Sequence, residues 1–328
     1  MRLLLLIRSL DLGGAERQLC LLAGGLKARG HAVDVACFYA QGPLMAELAA
    51  AGVTVHPLGK SGRWDILGAA LALKRLVARL RPQVLYSFLD TPNLLAALVR
   101  PLCPGLRVVW GVRASDMDLA RYSRFAALAA RLLPCLAWGA DAIIVNSQAG
   151  AAVAQARGLP RRKLAVVPNG IDTDRFAPDP ATGSPLRAAW GVGPDDLLAG
   201  LVGRIDPMKD HATFLRAMAQ VRAVLPGLRL VCVGGGDENL MAELKALAAS
   251  LGLADILAWA GPRIDMPAVM NALDLCVLAS AFGEGFPNVL GEAMACATPV
   301  ATTAVGDAAW VVGRPELSAP PNDPAALA

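Results

Sequence analysis

The chain has 328 residues and a formal net charge of +4, with 55% hydrophobic but only 5% aromatic residues, a length and composition that accommodate two α/β domains with aliphatic cores. Charged residues interrupt every long apolar stretch and the first apolar run is short, so we expect neither a membrane-spanning helix nor a signal peptide. Seven scattered cysteines without metal-type spacing favour a reducing compartment, the cytoplasm.

The first half alternates predicted strands and helices, as a doubly wound parallel sheet does. The first strand leads into Gly13 and Gly14, which are equally compatible with a ligand-binding loop and with a simple helix start. These glycines lack the dinucleotide-binding spacing, which argues against a nicotinamide cofactor. Strands are predicted at residues 3–7, 31–38, 53–57, 84–88, 108–112, 142–146 and 164–167, and helices at 18–29, 44–51, 66–80, 119–139 and 149–157.

The predicted helix at residues 119–139 combines an apolar side with Arg121, Arg124 and Arg131. This combination is typical of a helix that lies on a membrane surface. A core helix with solvated arginines is the alternative interpretation.

After residue 172 the composition changes to Pro, Gly, Asp and Thr as far as residue 185, which predicts a domain boundary. We place the boundary between an acceptor-side domain, residues 1–180, and a second domain, residues 181–328. Two such domains joined by a hinge would enclose a cleft. The final residues begin a helix that stops at once, so we expect a truncated product. The second half has predicted strands at 197–202, 228–233, 256–259, 273–278 and 299–302, and helices at 211–224, 240–251, 266–272 and 288–296.

The two halves differ in charge. Residues 1–183 contain 22 Lys and Arg against 12 Asp and Glu, whereas residues 184–328 contain 9 against 15. The basic half lacks the basic runs and interleaved aromatic residues of a nucleic-acid groove. We therefore expect no nucleic acid and an anionic membrane surface as a partner of the first domain.

Two carboxylates, Glu284 and Glu292, flank a glycine-rich turn and a helix start. Gly283 and Gly285 allow a ligand to approach the backbone, and the N–H groups that follow Pro287 form an anion site. One carboxylate on a sugar and one on a ribose suit a nucleotide sugar. The alternative interpretation is a loop carboxylate that caps the helix and a solvated helical Glu.

Arg204 and Lys209 lie in a loop after a predicted strand of the same half. Two cations suit a pyrophosphate and would stabilise the charge that develops on a departing phosphate. Residues 181–328 contain no acidic metal cluster of the Asp-x-Asp kind, so we expect side chains rather than a metal ion to stabilise the leaving group. A solvated loop is the alternative interpretation.

Over essentially its whole length the sequence resembles glycosyltransferase family 4, the retaining GT-B group. The resemblance implies an α/β fold, GT-B, with two Rossmann-like domains that face each other across a cleft. It also implies metal-independent transfer from a nucleoside diphosphate sugar with retention of configuration. The motifs are Gly13-Gly14-Ala15-Glu16, Pro168-Asn169-Gly170-Ile171-Asp172, Gly203 to Lys209, Gly234-Gly235-Gly236, Glu284 to Glu292, and Ala295-Cys296-Ala297-Thr298-Pro299-Val300.

The resemblance assigns roles to individual residues. Arg204 and Lys209 would bind the donor diphosphate, Glu284 the donor sugar and Glu292 the ribose, and the first three would be catalytic. We add Arg263 near the base because of its place after a strand. The predicted donor-binding residues are Gly13, Gly14, Gly203, Arg204, Lys209, Arg263, Glu284, Gly285, Phe286, Asn288, Val289 and Glu292.

The chain departs from the family pattern at two places. Arg113 and Asp116 stand where many members have a histidine of the catalytic site, and we assign both to the acceptor side. Ala297 stands where the family pattern has Gly, which predicts crowding at the end of a helix.

These observations predict a cytoplasmic glycosyltransferase, peripheral on the inner membrane. It would move a sugar, most simply from a UDP-sugar, to a lipid-linked or glycan hydroxyl, and it is similar to the branch that builds bacterial surface polysaccharides. The alternatives are a phosphorylase or epimerase on the same scaffold, and an inactive nucleotide-sugar-binding partner in an assembly complex.

Overall fold

A computed structural model describes residues 1–60, 62, 65–113 and 131–328. The chain divides into two compact units, Met1–Gly170 and Ile171–Ala328. The break precedes the boundary that composition indicated at residue 180. The intervening residues belong to the second unit because Phe176 is buried in its core and Ile171 packs against that core.

The first unit contains a parallel sheet with the strand order β3-β2-β1-β4-β5-β6-β7. Strand order reverses between β1 and β4, which is the topological switch point of a doubly wound sheet. Residues 4–7 are fully buried, as expected for a strand covered on both faces. The strands are β1 (Arg2–Ile7), β2 (Ala32–Cys37), β3 (Thr54–Pro57), β4 (Val84–Phe88), β5 (Arg107–Val112), β6 (Ala142–Val145) and β7 (Leu164–Val166).

Helices cover both faces of this sheet. Leu4 and Leu6 belong to one apolar cluster, and Leu5 and Ile7 to a second cluster on the opposite face. This alternation is the period-two pattern of a strand between two layers. The helices of the unit with both bounds in the described residues are α1 (Gly14–Ala28), α2 (Met45–Ala50), α3 (Ile66–Leu80), α4 (Asp90–Val99) and α5 (Gln148–Ala156).

The second unit repeats the architecture with the strand order β10-β9-β8-β11-β12-β13, all parallel. Its switch point lies between β8 and β11. The predicted α/β architecture of two doubly wound parallel sheets is therefore confirmed. The strands are β8 (Leu197–Val202), β9 (Leu228–Val233), β10 (Leu257–Gly261), β11 (Leu275–Leu278), β12 (Val300–Thr303) and β13 (Ser318–Ala319).

One helix of the second unit was not predicted from the composition of its sequence. Residues 173–185 are rich in helix breakers, yet residues 180–189 form a helix. Its Gly183 lies so close to Asn271 that an added Cβ would come within 2.5 Å of the Asn271 backbone. The helices are α6 (Pro180–Ala189), α7 (His211–Val224), α8 (Glu238–Ser250), α9 (Met266–Ala272), α10 (Asn288–Ala295), α11 (Ala308–Val312) and α12 (Pro324–Leu327).

Part of the helix predicted at residues 119–139 cannot be compared, because residues 114–130 lie outside the described residues. Within the described ranges no helix has the length and apolar character needed to cross a bilayer.

Candidate functional site

The loops after β8 and β11 meet at the switch point of the second unit. Parallel neighbouring strands end at the same edge of a sheet, so the loops that follow them lie side by side. The Ala281 N–H donates a hydrogen bond of 2.9 Å to the carbonyl oxygen of Met208, which joins the two loops directly. Ligands of doubly wound sheets bind at this location.

Each loop contributes one charged side chain to a buried ion pair. Lys209 Nζ lies 2.5 Å from Glu284 Oε1, and the two side chains are 14% and 7% exposed. The hydroxyl of Ser280 donates a second hydrogen bond, of 2.6 Å, to the same carboxylate oxygen. Within the described residues Glu284 Oε2 has no hydrogen bond, so this oxygen remains available to accept one from a ligand hydroxyl.

Local structure fixes the position of Lys209. The residue ends a 3-10 turn, Pro207–Lys209, whose Met208 N–H is capped at 2.9 Å by the Asp206 carboxylate. The methylene stem of Lys209 lies over Gly203, where an added Cβ would sit 3.2 Å from its Cγ and Cδ. Gly203 therefore makes room for the lysine itself.

Three glycines after β9 allow the neighbouring loop to approach. An added Cβ at Gly234 would lie 1.9 Å from the carbonyl oxygen of Gly203, and one at Gly236 would lie 2.1 Å from that of Ile205. The Gly234-Gly235-Gly236 motif thus supports the loop that carries Arg204 and Lys209.

The Glu284 loop is held by its own set of contacts. Gly306 has a φ of 60°, and an added Cβ there would lie 2.0 Å from the carbonyl oxygen of Glu284. The Asp307 N–H donates to the Gly285 carbonyl at 3.0 Å. The Thr303 hydroxyl donates to the Ser280 carbonyl at 2.6 Å. These contacts orient Glu284 toward Lys209.

Glu292 lies in the second turn of α10 and is buried. Burial first, and the charge of Glu292 second, raise the pKa of the Cys276 thiol in β11 to about 12. Burial and then Glu292 also raise the pKa of Cys296. The carboxylate therefore lies close to the end of the sheet, on the same loop-and-helix segment as Glu284.

The other predicted donor-binding residues have varied surroundings. Arg204 is exposed. The Phe286 ring contacts Trp310 edge-on, with centroids 6.5 Å apart. Arg263 binds Asp265 through two hydrogen bonds, of 2.8 Å from Nε and 2.5 Å from Nη2, and these bonds raise the pKa of Arg263. A base contact by Arg263 would have to use the N–H groups that Asp265 leaves free, two on Nη1 and one on Nη2.

Gly13 and Gly14 lie at the switch point of the first unit, directly after β1. Gly13 precedes α1 and Gly14 is its first residue, so the helix begins four residues earlier than predicted. An added Cβ at Gly13 would lie 2.1 Å from Glu16 Oε2. The Glu16 carboxylate therefore lies against the start of this helix, where negative charge is favourable.

Arg113, predicted on the acceptor side, follows β5 in the first unit. Its Nη1 donates to Asn169 Oδ1 at 2.9 Å and its Nη2 to the Tyr86 hydroxyl at 2.7 Å. Its guanidinium carbon lies 4.6 Å from the centroid of the Phe88 ring. Burial lowers the pKa of Arg113 and raises the pKa of Tyr86. Asp116 lies outside the described residues.

Sequence reasoning did not find Ser280, Gly306 or Tyr86. Ser280 follows an apolar strand by two residues, which is the one sequence signal that indicated a strand-end position for it. Gly306 and Tyr86 act through neighbours distant in sequence and carried no such signal. Among the described residues no group of three His, Cys, Asp or Glu side chains could hold a metal ion.

Two family models match the chain. The model described as Glycosyltransferase Family 4 matches residues 12–175, and the model described as Glycosyl transferases group 1 matches residues 197–328. D-inositol 3-phosphate glycosyltransferase of Mycobacterium marinum is 36% identical over 174 residues, which cover 51% of this chain and 36% of that protein. The match thus spans little more than a third of this curated relative.

Solved structures resemble the chain over its whole length. Anabaena HepE in complex with UDP-glucose has a TM-score of 0.86 at 23% identity, and the match covers 100% of this chain and 87% of that one. WaaG, a glycosyltransferase involved in lipopolysaccharide biosynthesis, has a TM-score of 0.73 at 17% identity, with 97% and 85% covered. At these identities the likeness shows a shared fold.

Proposed function

Because the chain belongs to Glycosyltransferase Family 4 and has the GT-B fold, we propose that it transfers a sugar from a UDP-sugar to a hydroxyl of a lipid-linked or glycan acceptor. The observation that carries this proposal is the buried Lys209–Glu284 pair at the switch point of the second unit. It places a cation and a carboxylate together where a ligand of this fold binds.

The donor is a nucleoside diphosphate sugar. Lys209 and the exposed Arg204 supply positive charge for the diphosphate, and Glu284 and Glu292 supply oxygens for sugar and ribose hydroxyls. The Anabaena structure that shares the fold is a complex with UDP-glucose, which supports uracil as the base.

The reaction breaks the bond between the anomeric carbon and the diphosphate oxygen. The acceptor oxygen forms its bond on the face that the diphosphate leaves, which retains configuration, and the acceptor proton passes to the departing phosphate oxygen. Negative charge grows on that oxygen in the transition state. Lys209 and Arg204 stabilise it there, without a metal ion, because they carry fixed positive charge in a partly dehydrated site.

The acceptor reaches the enzyme at the cytoplasmic face of a membrane. Support comes from α3, where Leu67 and Leu71 lie one turn apart and are 81% and 51% exposed. Lys74 and Arg75 follow on the exposed side of the same helix. Exposed leucines beside cations suit an anionic lipid surface. WaaG, which shares the fold, is involved in lipopolysaccharide biosynthesis, and this supports a lipid-linked acceptor.

A vesicle sedimentation assay tests the membrane contact. The chain should sediment with vesicles that contain anionic lipid, and Lys74→Gln with Arg75→Gln should reduce binding by about thirtyfold, since each charge near the surface contributes about 1 kcal/mol. Binding that the two changes leave intact would contradict this contact.

Turnover assays test the transfer. The purified chain is incubated with UDP-glucose, UDP-galactose, UDP-N-acetylglucosamine and GDP-mannose, with a bacterial lipid extract, glucose oligomers or D-inositol 3-phosphate as acceptor, with and without EDTA. We expect acceptor-dependent release of UDP that EDTA does not abolish and that Glu284→Gln removes.

Free sugar phosphate would indicate a phosphorylase, and conversion of the donor without acceptor would indicate an epimerase. Donor binding without any turnover would identify an inactive binding partner.

A further inference from the structure

Arg113 is a largely buried cation, and its partners among the described residues are all neutral. Its two hydrogen bonds run to a phenol and an amide oxygen, and its plane lies near the rings of Tyr86 and Phe88. Within the described ranges it forms no ion pair with a carboxylate, and its Nε is buried without a hydrogen-bond partner. No carboxylate of the described residues therefore compensates its charge.

Other partly buried arginines of the chain are arranged differently. Arg187 pairs with Asp274 at 2.7 Å, and Arg229 pairs with Asp196 at 3.0 Å. Burying a guanidinium without a counter-ion is costly, because the lost hydration is not replaced by an opposite charge. An unpaired, partly buried arginine at the ligand-binding edge of a sheet therefore indicates a functional role for its charge.

The nearest candidate counter-ion on the adjoining strand does not pair with Arg113. Phe88 of β4 lies opposite Gly111 of β5, so Asp90 and Arg113 each follow this matched pair by two residues. Asp90 nevertheless makes no ion pair with Arg113, and burial raises the pKa of Asp90, which favours its neutral form. Within the described residues, no carboxylate at this strand end therefore pairs with Arg113.

The guanidinium is also fixed in place. Tyr86 holds it from β4, and Asn169 holds it from the loop after β7. Gln18 of α1 anchors that loop by two hydrogen bonds with the Gly170 backbone, of 2.8 Å and 3.1 Å. Each Nη nitrogen has a second N–H beyond the one already used. A fixed guanidinium fork with free donors matches the paired oxygens of phosphate or carboxylate.

We propose that Arg113 is the centre of an oxyanion site in the first unit, which binds a phosphate or carboxylate group carried by the acceptor substrate. The assignment of this ligand to the acceptor rests on the proposed function. The site itself stands on the contacts of Arg113 alone, and it predicts that neutral sugars are poorer acceptors than sugars with an anionic group.

Calorimetric titration of the full chain, saturated with UDP to occupy the donor site, tests this. The probes are glucose, glucose 6-phosphate, glucuronate and inorganic phosphate. We expect at least one anionic sugar to bind about tenfold more tightly than glucose, and inorganic phosphate to compete with it. Arg113→Gln should reduce the preference below about twofold, whereas Arg113→Lys should retain only part of it, because an ammonium keeps the charge but not the paired donor geometry. Preference for glucose 6-phosphate indicates a phosphate ligand, and preference for glucuronate a carboxylate.

The matched control is Arg107→Gln, which removes an exposed arginine from the opposite end of β5 and should leave the preference unchanged. Thermal unfolding checks that each variant folds. If Arg113→Gln does not fold, Tyr86→Phe removes one positioning hydrogen bond and should reduce the preference two- to fivefold.

Equal binding of glucose and both anionic sugars to the unmodified chain would overturn the proposal, as would a tenfold preference in folded Arg113→Gln. Loss of UDP binding with an intact anion preference would instead contradict the donor site.

Discussion

Lys209 Nζ and Glu284 Oε1 lie 2.5 Å apart although 75 positions separate the two residues in the chain. The pair joins the loops after β8 and β11, the two strands on either side of the switch point. Each charge therefore compensates the other before a ligand binds. In the proposed donor site, a diphosphate bound to Lys209 would compete with Glu284 and would leave the carboxylate free for a sugar hydroxyl.

The two members of this pair should respond differently to substitution. Lys209→Ala should weaken UDP binding more than Glu284→Ala does, because we propose that Lys209 supplies positive charge for the diphosphate. Glu284→Ala should mainly lower turnover. Calorimetry with UDP and steady-state assays measure the two effects, and equal losses of UDP affinity would contradict this division of roles.

Stability provides an independent check of the same pair. Removing one partner of a buried pair leaves the other charge uncompensated, so each single substitution should lower the free energy of unfolding by roughly 3 kcal/mol. The double variant Lys209→Met with Glu284→Gln should lose much less than the sum, because neither charge is then left alone. Additive losses in urea unfolding would show that the two side chains do not interact.

Gly306 supports the position of Glu284 through close backbone contact. Gly306→Ala should displace the Glu284 loop, since the new Cβ would overlap the Glu284 carbonyl oxygen. Gly313→Ala is a matched control, because Gly313 has a φ of 67° against 60° for Gly306 but open space around its Cβ position. Both variants should lose about 1 kcal/mol from the left-handed conformation, but UDP binding should fall only in Gly306→Ala. Equal behaviour of the two would contradict the steric role.

Ala297 lies two residues after the end of α10, in a conformation that favours glycine. Its φ is 59°, in the left-handed region, at the position after the last helical turn where glycine is common. Ala297→Gly should therefore raise the free energy of unfolding by up to about 1 kcal/mol. Ala295→Gly, inside the same helix, should lower it by about 0.5–1 kcal/mol. Loss of stability in Ala297→Gly would rule out strain at this residue.

His211 should make stability depend on pH. It is 2% exposed, neither ring nitrogen has a hydrogen-bond partner within the described residues, and burial together with Lys209 lowers its pKa to about 4. The imidazole therefore takes up a proton near pH 6.5 in the unfolded chain but only near pH 4 in the folded chain. The neutral His211 therefore does not reduce the stability of the folded chain above pH 6.5, and the folded chain loses stability as the pH falls from 6.5 to about 4.

Between pH 7 and pH 5 this one group should remove about 2 kcal/mol of unfolding free energy. His211→Leu should remove that part of the pH dependence, whereas His31→Gln, at a partly exposed histidine near the amino terminus, should leave it unchanged. Urea unfolding at both pH values measures the difference. An identical pH dependence in the chain with and without His211 would contradict a neutral buried imidazole.

Strands with strong apolar runs were predictable from sequence. Residues 84–88 and 197–202 form strands with the bounds that the apolar runs indicate, because burial on both faces of a parallel sheet selects such runs. The apolar runs did not predict the order of the strands within each sheet. This order determines that the loops carrying Lys209 and Glu284 meet.

Elements that tertiary packing stabilises were not predictable. The helix α4 begins with Asp90, Thr91 and Pro92, which indicate a turn, but the Asn93 amide bonds to the Gly111 carbonyl and ties the helix to β5. The helix α6 contains Pro185, and the close approach of Gly183 to α9 compensates for weak local propensity. The motif residues of the site were found without their partners, since Ser280, Gly306 and Tyr86 act across distant parts of the chain.

Calorimetric titration of the purified chain with UDP, GDP and ADP, without added metal, tests the donor site most directly. The variants are Lys209→Ala and, as a matched control, Lys245→Ala on the exposed side of α8. We predict micromolar binding of UDP that Lys209→Ala abolishes and Lys245→Ala preserves. A folded chain that binds none of the three nucleotides, or that binds UDP equally well without Lys209, would contradict the donor site.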